Sequence, residues 1–409
     1  MEPDKEKIPK GYKLTEVGVI PEDWMIKNLE EFGILTMGQS PPGNSYSSNY
    51  RDMPLLNGAK DLTESGIMIT QYTNKPIRVS KRGDLLFCIR ATIGNLQISD
   101  RTYCLGRGIA ALTVNKSFSK IFVAYVLRGL FEFMRNQSQG GVIKGLKKDE
   151  LAEIKVFLPA LKQEQTAIAE VLSDVDSLID NLDKLIVKKK AIKQGVMQEL
   201  LTGKRRLSGF SGRWEMKQLG EIAEIFKGQG LSKEKLSLSG EYPCILYGEL
   251  FTTYSEKIDE AYSRTNFKEG RLSERGDVLM PGSTTTVGID LAKASAILID
   301  NVQLGGDINI IRQLGNSSYN SIFLAYCITH IYKNRIAQRT KGITIYHLYG
   351  NDLVDLEILM PEMLEQTAIA TILSDMDAEI EALEEKLSKY KMLKQGMMQV
   401  LLTGKVRLI

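Results

Sequence analysis

Histidine is almost missing from this chain: His330 and His347 are the only two in 409 residues. That leaves little for zinc binding or for histidine-based acid–base chemistry. The four cysteines (Cys88, Cys104, Cys244, Cys327) stand far apart, without paired metal-ligand spacing, and fit a reduced cytoplasm. No apolar run approaches the roughly 20 residues needed to span a bilayer, so no membrane partner is expected. The opening Met1-Glu2-Pro3-Asp4-Lys5-Glu6-Lys7 is charged and lacks the apolar stretch of a signal peptide. There is no G-x-x-x-x-G-K-[ST] loop and no G-x-G-x-x-G after a strand, so no nucleotide cofactor is expected. Ser40-Pro41-Pro42-Gly43 comes near the motif with which amino-methyltransferases stack a flipped base. Its fourth place lacks the aromatic ring, and a turn is the better reading. The formal net charge of +3 is weak evidence for a polyanionic partner. Any nucleic-acid binding must come from clustered basic residues or be shared with another subunit.

What the chain does have is a repeat. Residues Glu164 to Leu207 align without a gap to Glu365 to Leu408, with about 26 of 44 positions identical. EQTAIA, KQG and LLTGK recur in register, which convergent helical composition would not produce. Each copy reads as one long helix, with Pro159 or Pro361 upstream and Gly203 or Gly404 after the last apolar pair. Ile168, Leu172, Val175, Ile179, Leu182 and Ile186 form a heptad seam, repeated by Ile369, Leu373, Met376, Ile380, Leu383 and Leu387. At about 1.5 Å per residue such a helix is a spacer as well as a packing element. In both copies acidic residues precede basic ones. The helix dipole alone favours that order, but an antiparallel pair would also set acid against base.

A weaker repeat lies between the helices. Trp24, Lys27, Leu29, Gly38 and Gln39 recur at constant spacing as Trp214, Lys217, Leu219, Gly228 and Gln229. Arg82-Gly83-Asp84-Leu85-Leu86 recurs as Arg275-Gly276-Asp277-Val278-Leu279, read as a structural turn into a strand. A short apolar strand ending in Pro159 or Pro361 precedes each long helix, and helices are expected over Ile121–Arg135 and Ser321–Arg339. The expected organisation is an N-terminal segment (1–19), a globular α/β domain (20–158), a long helix (159–207), a diverged α/β domain (208–360) and a matching helix (361–409).

Two variable domains alternating with two near-identical helices, together with TEVGVIPEDW near the start, EQTAIA and LLTGK, resemble the DNA-specificity subunits of type I restriction–modification systems. The resemblance covers essentially the whole chain. It implies a mixed α+β fold with two α/β target-recognition domains joined by two long antiparallel coiled-coil helices in a pseudo-two-fold circular arrangement. It further implies a non-catalytic chain without cofactor or metal, each domain reading one half of a split, asymmetric site in double-stranded DNA. The helices would set the spacing and dock two methyltransferase subunits, to which restriction subunits join. In that arrangement the second helix ends beside the start of the first domain.

The residue-level reading agrees. A spacer with equivalent docking faces is free to stay alike, whereas domains that read different half-sites must diverge, since base-edge hydrogen bonds define sequence. Candidate DNA contacts are basic and polar residues in Gly-rich loops. In the first domain they are Gln39, Ser40, Tyr46, Arg51, Arg90, Arg107, Lys144, Lys147 and Lys148. In the second they are Lys227, Gln229, Lys233, Thr284, Thr285, Arg335, Arg339, Lys341 and Tyr346. Any single one could be a solvated surface residue; the clusters Gly140–Lys148 and Arg335–Tyr346 stand out by occupying equivalent places. Two other classes compete: an assembly scaffold whose heads bind two proteins and no DNA, and a self-sufficient methyltransferase or nuclease, against which the missing cofactor motifs count.

Overall fold

A computed structural model describes residues 8–15, 18–63, 66–90, 93–137, 145–315 and 319–408. The Gly140-Gly141 segment and Lys144 lie outside the described residues. The chain divides into two compact units, Met1–Leu182 with Lys386–Ile409, and Asp183–Glu385. The first long helix, Lys162–Leu200, and the second, Met363–Leu401, are each 39 residues and each contribute to both units. Both run from just after the expected proline to a glycine in the left-handed region, Gly203 at φ 68° and Gly404 at φ 70°. The seam positions Ile168, Leu172, Ile179, Leu182, Ile186, Ile369, Leu373 and Ile380 are buried. Each contributes on the order of 1.5–3 kcal/mol by leaving water.

In the first unit the head is built on an antiparallel sheet with strand order Leu96–Ile98, Leu85–Cys88, Ile109–Val114, Gly33–Met37. A second sheet runs Cys104–Leu105, Met53–Leu56, Gln71–Thr73, Tyr46–Ser47, its first pair parallel. Helix Lys120–Gln137 covers the first sheet through Phe122, Val123, Leu127 and Phe131. A two-strand ribbon, Trp24–Asn28 with Lys155–Pro159, carries the chain into the first long helix.

In the second unit the corresponding strands take the same order. Ala223–Lys227, Ile308–Gln313, Val278–Pro281 and Ser295–Ile297 line up as in the first head, with Lys257–Ile258 added at the edge. The smaller sheet keeps a parallel pair, Tyr242–Ile245 with Gln303–Leu304, beside Ser263–Thr265. Its outer strand is Arg271–Leu272, on the opposite edge from the extra strand of the first head. The ribbon Glu215–Gln218 with Glu357–Met360 again leads into a long helix.

One expected element is corrected. Ser321–Arg339 is not a continuous helix: Ser321–Tyr326 is α-helical, Cys327–Ile331 is a π turn, and Lys333–Ala337 restarts after Tyr332 leaves helical geometry. Side chains within the π turn are drawn to partners outside the helix. Thr329 Oγ1 accepts from Ala294 N at 3.0 Å, and His330 Nε2 lies 3.0 Å from Glu256 Oε1.

The helix motifs acquire roles inside each unit. In the first, the buried Glu164 accepts two hydrogen bonds from Arg407, at 2.5 and 2.8 Å. In the second, Glu365 accepts two from Arg206, both at 2.6 Å. The next residue ties helix to head: Gln165 accepts from Ser119 N and donates to Pro159 O, and Gln366 does the same with Asn320 N and Pro361 O. Further along, Asp176 accepts from Tyr125 at 2.7 Å and pairs with Lys394 at 2.5 Å. Asp377 accepts from Tyr326 and pairs with Lys193. Lys189–Glu379 and Lys190–Glu384 add to the second unit. From Glu164–Arg407 to Asp176–Lys394, and from Lys193–Asp377 to Arg206–Glu365, partner numbers fall along one helix as they rise along the other, so the paired segments within each unit run antiparallel and acid meets base.

Candidate nucleic-acid interface

At one end of the first head's main sheet, Gly38-Gln39 passes over the turn that follows Leu105. Gly38 N donates to Ile109 O and Gln39 N to Leu105 O, at 2.9 and 2.8 Å. A Cβ on residue 38 would sit 2.1 Å from Gly106 O, so only glycine fits this crossing. Gln39 is left exposed beside Ser40, whose Oγ accepts from Arg107 Nε at 3.2 Å. Ile89 N donates to Gly108 O and Leu146 N to Ile89 O, which brings the exposed Arg90 and the segment from Gly145 to the same end. Gln39, Ser40, Arg90, Arg107 and the neighbourhood of Lys147 and Lys148 are therefore brought together. Tyr46 and Arg51 lie on the edge segment of the smaller sheet, Arg51 over the Tyr50 ring at 6.0 Å. Ser40–Gly43 leads into a short 3-10 turn at Gly43–Ser45.

The second head repeats the crossing with different chemistry around it. Gly228 N donates to Ile308 O and Gln229 N to Leu304 O, and a Cβ on residue 228 would lie 2.0 Å from Gly305 O. Lys227 pairs with Asp307 at 3.3 Å, and Asp307 also accepts from Ser283 Oγ at 3.0 Å. Ser283 and Thr284 pair with His347 and Tyr346. These contacts frame a cavity of about 890 Å³ whose lining includes Tyr247, Thr285, Lys293, Asp307, Lys333 and His347. Thr284 is buried, its hydroxyl 2.8 Å from that of Thr286, while Thr285 is exposed. Thr284 and Thr285 line the cavity, Tyr346 pairs with Thr284, and Lys227 reaches its Asp307; Gln229 stays at the crossing, the Lys341 ammonium pairs with Asp352 at 2.7 Å, and Lys233 sits on a separate 3-10 turn.

Arg335 and Arg339 face elsewhere: Arg335 stacks over Tyr332 at 5.6 Å and reaches Glu357 O, and Arg339 binds Asp355 at 3.1 Å. Sequence reasoning missed Tyr247, Lys293, Asp307, Lys333 and His347; the hydroxyl run Ser283-Thr284-Thr285-Thr286 was the signal nearest to them.

Lys293 lies 4.0 Å from Glu256, a carboxylate buried within the second head. Burial works against ionisation of Glu256, but the His330 hydrogen bond and the Lys293 charge outweigh it and hold its pKa at about 2. The turns at Arg82-Gly83-Asp84 and Arg275-Gly276-Asp277 are structural. Asp84 accepts from Lys81 N and Asp277 from Glu274 N, immediately before a strand in each case. All four cysteines are buried, and burial pushes their thiols up. Among the described residues, no group of three or more His, Cys, Asp or Glu side chains is placed to hold a metal ion. Nor is any helix among them long and apolar enough to cross a membrane.

The family model described as type I restriction modification DNA specificity domain matches the chain twice, over residues 21–190 and 212–390. The chain belongs to this family. Its members are specificity subunits of type I restriction–modification systems, and a role in DNA recognition follows from membership. A Methanocaldococcus jannaschii protein assigned as the MjaX type I restriction enzyme specificity subunit is 36% identical over 201 residues, covering 48% of this chain and 47% of that protein. The chain thus matches about half the length of that relative. The MjaVIII specificity subunit of the same organism is 23% identical over 409 residues, covering 95% and 94%. The fold is also that of a type I S subunit from M. genitalium, with TM-score 0.62, 16% identity and coverage of 95% and 97%.

Proposed function

We propose that this chain is the non-catalytic DNA-reading subunit of a type I restriction–modification complex, with heads at 20–158 and 208–360 that each read one half of a split, asymmetric site. The long helices pair antiparallel as one spacer in a pseudo-two-fold circular arrangement. They offer equivalent faces to two methyltransferase subunits, to which restriction subunits join.

One observation carries this reading. The clamps Glu164–Arg407 and Glu365–Arg206, and the sets Tyr125–Asp176–Lys394 and Tyr326–Asp377–Lys193, repeat residue for residue. The side chains around the two Gly-Gln crossings do not: Ser40 and Arg107 stand in one head, Lys227, Ser283 and Asp307 in the other. Equivalent partners require an equivalent frame, and different half-sites require different donors and acceptors. The exposed Lys147 and Lys148 suit phosphate contacts, as does Lys144; replacing all three with alanine should flatten the salt dependence of binding by about 0.9 log unit per lost contact.

The test is to map methylated positions in DNA from cells carrying this subunit with its methyltransferase. A bipartite sequence with an unspecified gap is expected. A continuous or symmetric site contradicts the two-reader account, and no sequence-specific methylation would favour the protein-only scaffold.

A further inference from the structure

Beside the cavity of the second head, residues 341–347 form a closed hairpin. Lys341 N donates to His347 O at 2.9 Å, and His347 N to Lys341 O at 2.7 Å. Gly342 has φ 129°, and a Cβ there would fall 1.9 Å from Ile345 O, so the turn is built around glycine. The pairing of Tyr346 with Thr284 and His347 with Ser283 fixes the hairpin to the cavity wall. The His347 ring stacks with Tyr349, and the Lys341 ammonium lies over Tyr349 at 5.7 Å, stiffening its base.

This well-anchored turn holds Ile343 out with 92% of its surface exposed, and Ile345, at 47%, lines the cavity. An isoleucine held in water forgoes the stabilisation that burial would bring. Two lysines stand on the same part of the head: Lys341, its ammonium 2.7 Å from Asp352, closes the base of the hairpin, and Lys333 lines the cavity with Lys293, Asp290 and Asp307. An apolar tip beside a cavity lined with lysines and hydroxyls suits a DNA groove, with phosphates at the rim and base edges within. A side chain with no hydrogen-bonding atom can discriminate only an apolar feature there. The major groove offers one, the thymine 5-methyl group.

We propose that the 341–347 hairpin is a specificity element of the second half-site, with Ile343 packing on a thymine methyl group in the major groove. This rests on the DNA-reading function proposed above. No phosphate contact or backbone bond could supply the same information, because neither distinguishes thymine from a base lacking the methyl.

The test uses the full chain assembled with its methyltransferase and the site found by methylation mapping. Each thymine of the second half-site is replaced in turn by deoxyuridine, and affinities are measured for the unsubstituted chain and for Ile343→Ala. At one position the replacement should weaken binding to the unsubstituted chain about fourfold, the value of one buried methyl-sized group. The Ile343→Ala complex should be indifferent to that replacement. The proposal is overturned if no deoxyuridine matters, if Ile343→Ala keeps the same thymine-to-uracil ratio, or if the half-site contains no A·T pair. Loss of subunit assembly with unchanged DNA discrimination also overturns it and makes the tip a protein contact. Failure of the underlying reading looks different: exchange of residues 208–360 would leave the methylated sequence unaltered.

Discussion

In the unit formed by residues 1–182 and 386–409, Arg407 binds both Glu164 and the exposed Asp23, and the indole nitrogen of Trp24 is buried without a hydrogen-bond partner. In the unit of residues 183–385, Arg206 binds Glu365 and lies over the Trp214 ring at 5.7 Å, Arg213 stands where the first unit has Asp23, and Trp214 Nε1 donates to Glu365 at 3.1 Å. The same arginine–glutamate clamp therefore takes a different third member: Asp23, which accepts from Arg407, in the first unit, and Trp214, which donates to Glu365, in the second. The comparison teaches which contacts the frame requires. Glu–Arg, Gln–backbone and Tyr–Asp–Lys appear in both units, whereas the third partner of the clamp and the outer strands of the heads are free to change.

The largest effect should come from breaking what the units share. Arg206→Ala and Arg407→Ala each leave a buried glutamate without its cation, which costs about 3–5 kcal/mol. Urea unfolding should show losses of similar size for the two variants, and a loss confined to one would mean the frames are not energetically equivalent.

Tyr125→Phe and Tyr326→Phe come next. Each removes a hydrogen bond to an ionised carboxylate, worth about 1.5–3 kcal/mol. Burial and the neighbouring aspartate raise both phenols, Tyr125 to about 12, so their contribution should not vary between pH 6 and 9.

A further effect should separate the units by pH. Glu256 has its folded pKa depressed from 4.5 to about 2. Its stabilisation is fully present above about pH 4.5 and is lost as pH falls toward 2. Glu256→Gln should flatten the acid-side decline of the second unit, and an unchanged profile would show that the His330 and Lys293 contacts carry no net charge stabilisation.

The smallest effect belongs to the third partner. Asp23 is exposed, and Asp23→Ala should cost less than about 1 kcal/mol. A cost near that of Arg407→Ala would make Asp23 part of the frame.

The long helices were legible because a heptad seam, a preceding proline and a closing glycine are local signals, and each helix begins and ends within a few residues of them. The heads were much less so. Their strands are mostly two to six residues long and pair across the chain, so neither periodicity nor spacing reveals that both share one strand order. The repeated Gly-Gln step was visible, but its glycine answers to a carbonyl crossing that only the folded sheets create. Glu164 and Arg407 were visible as motif ends, yet 243 residues separate them and nothing local joins them. Arg335 and Arg339 looked like a basic cluster, but on a broken helix they turn toward the ribbon and Asp355. Asp307 and His347 reach the cavity from segments whose positions only the sheet register sets.

The central claim is that a common frame carries two independent readers. Its most direct test replaces residues 20–158 with the corresponding head of a subunit of different specificity and maps methylation in cells that also carry the methyltransferase. The account predicts that one half of the methylated sequence changes while the other half and the gap between them stay the same. A change in both halves, or in neither, would contradict it.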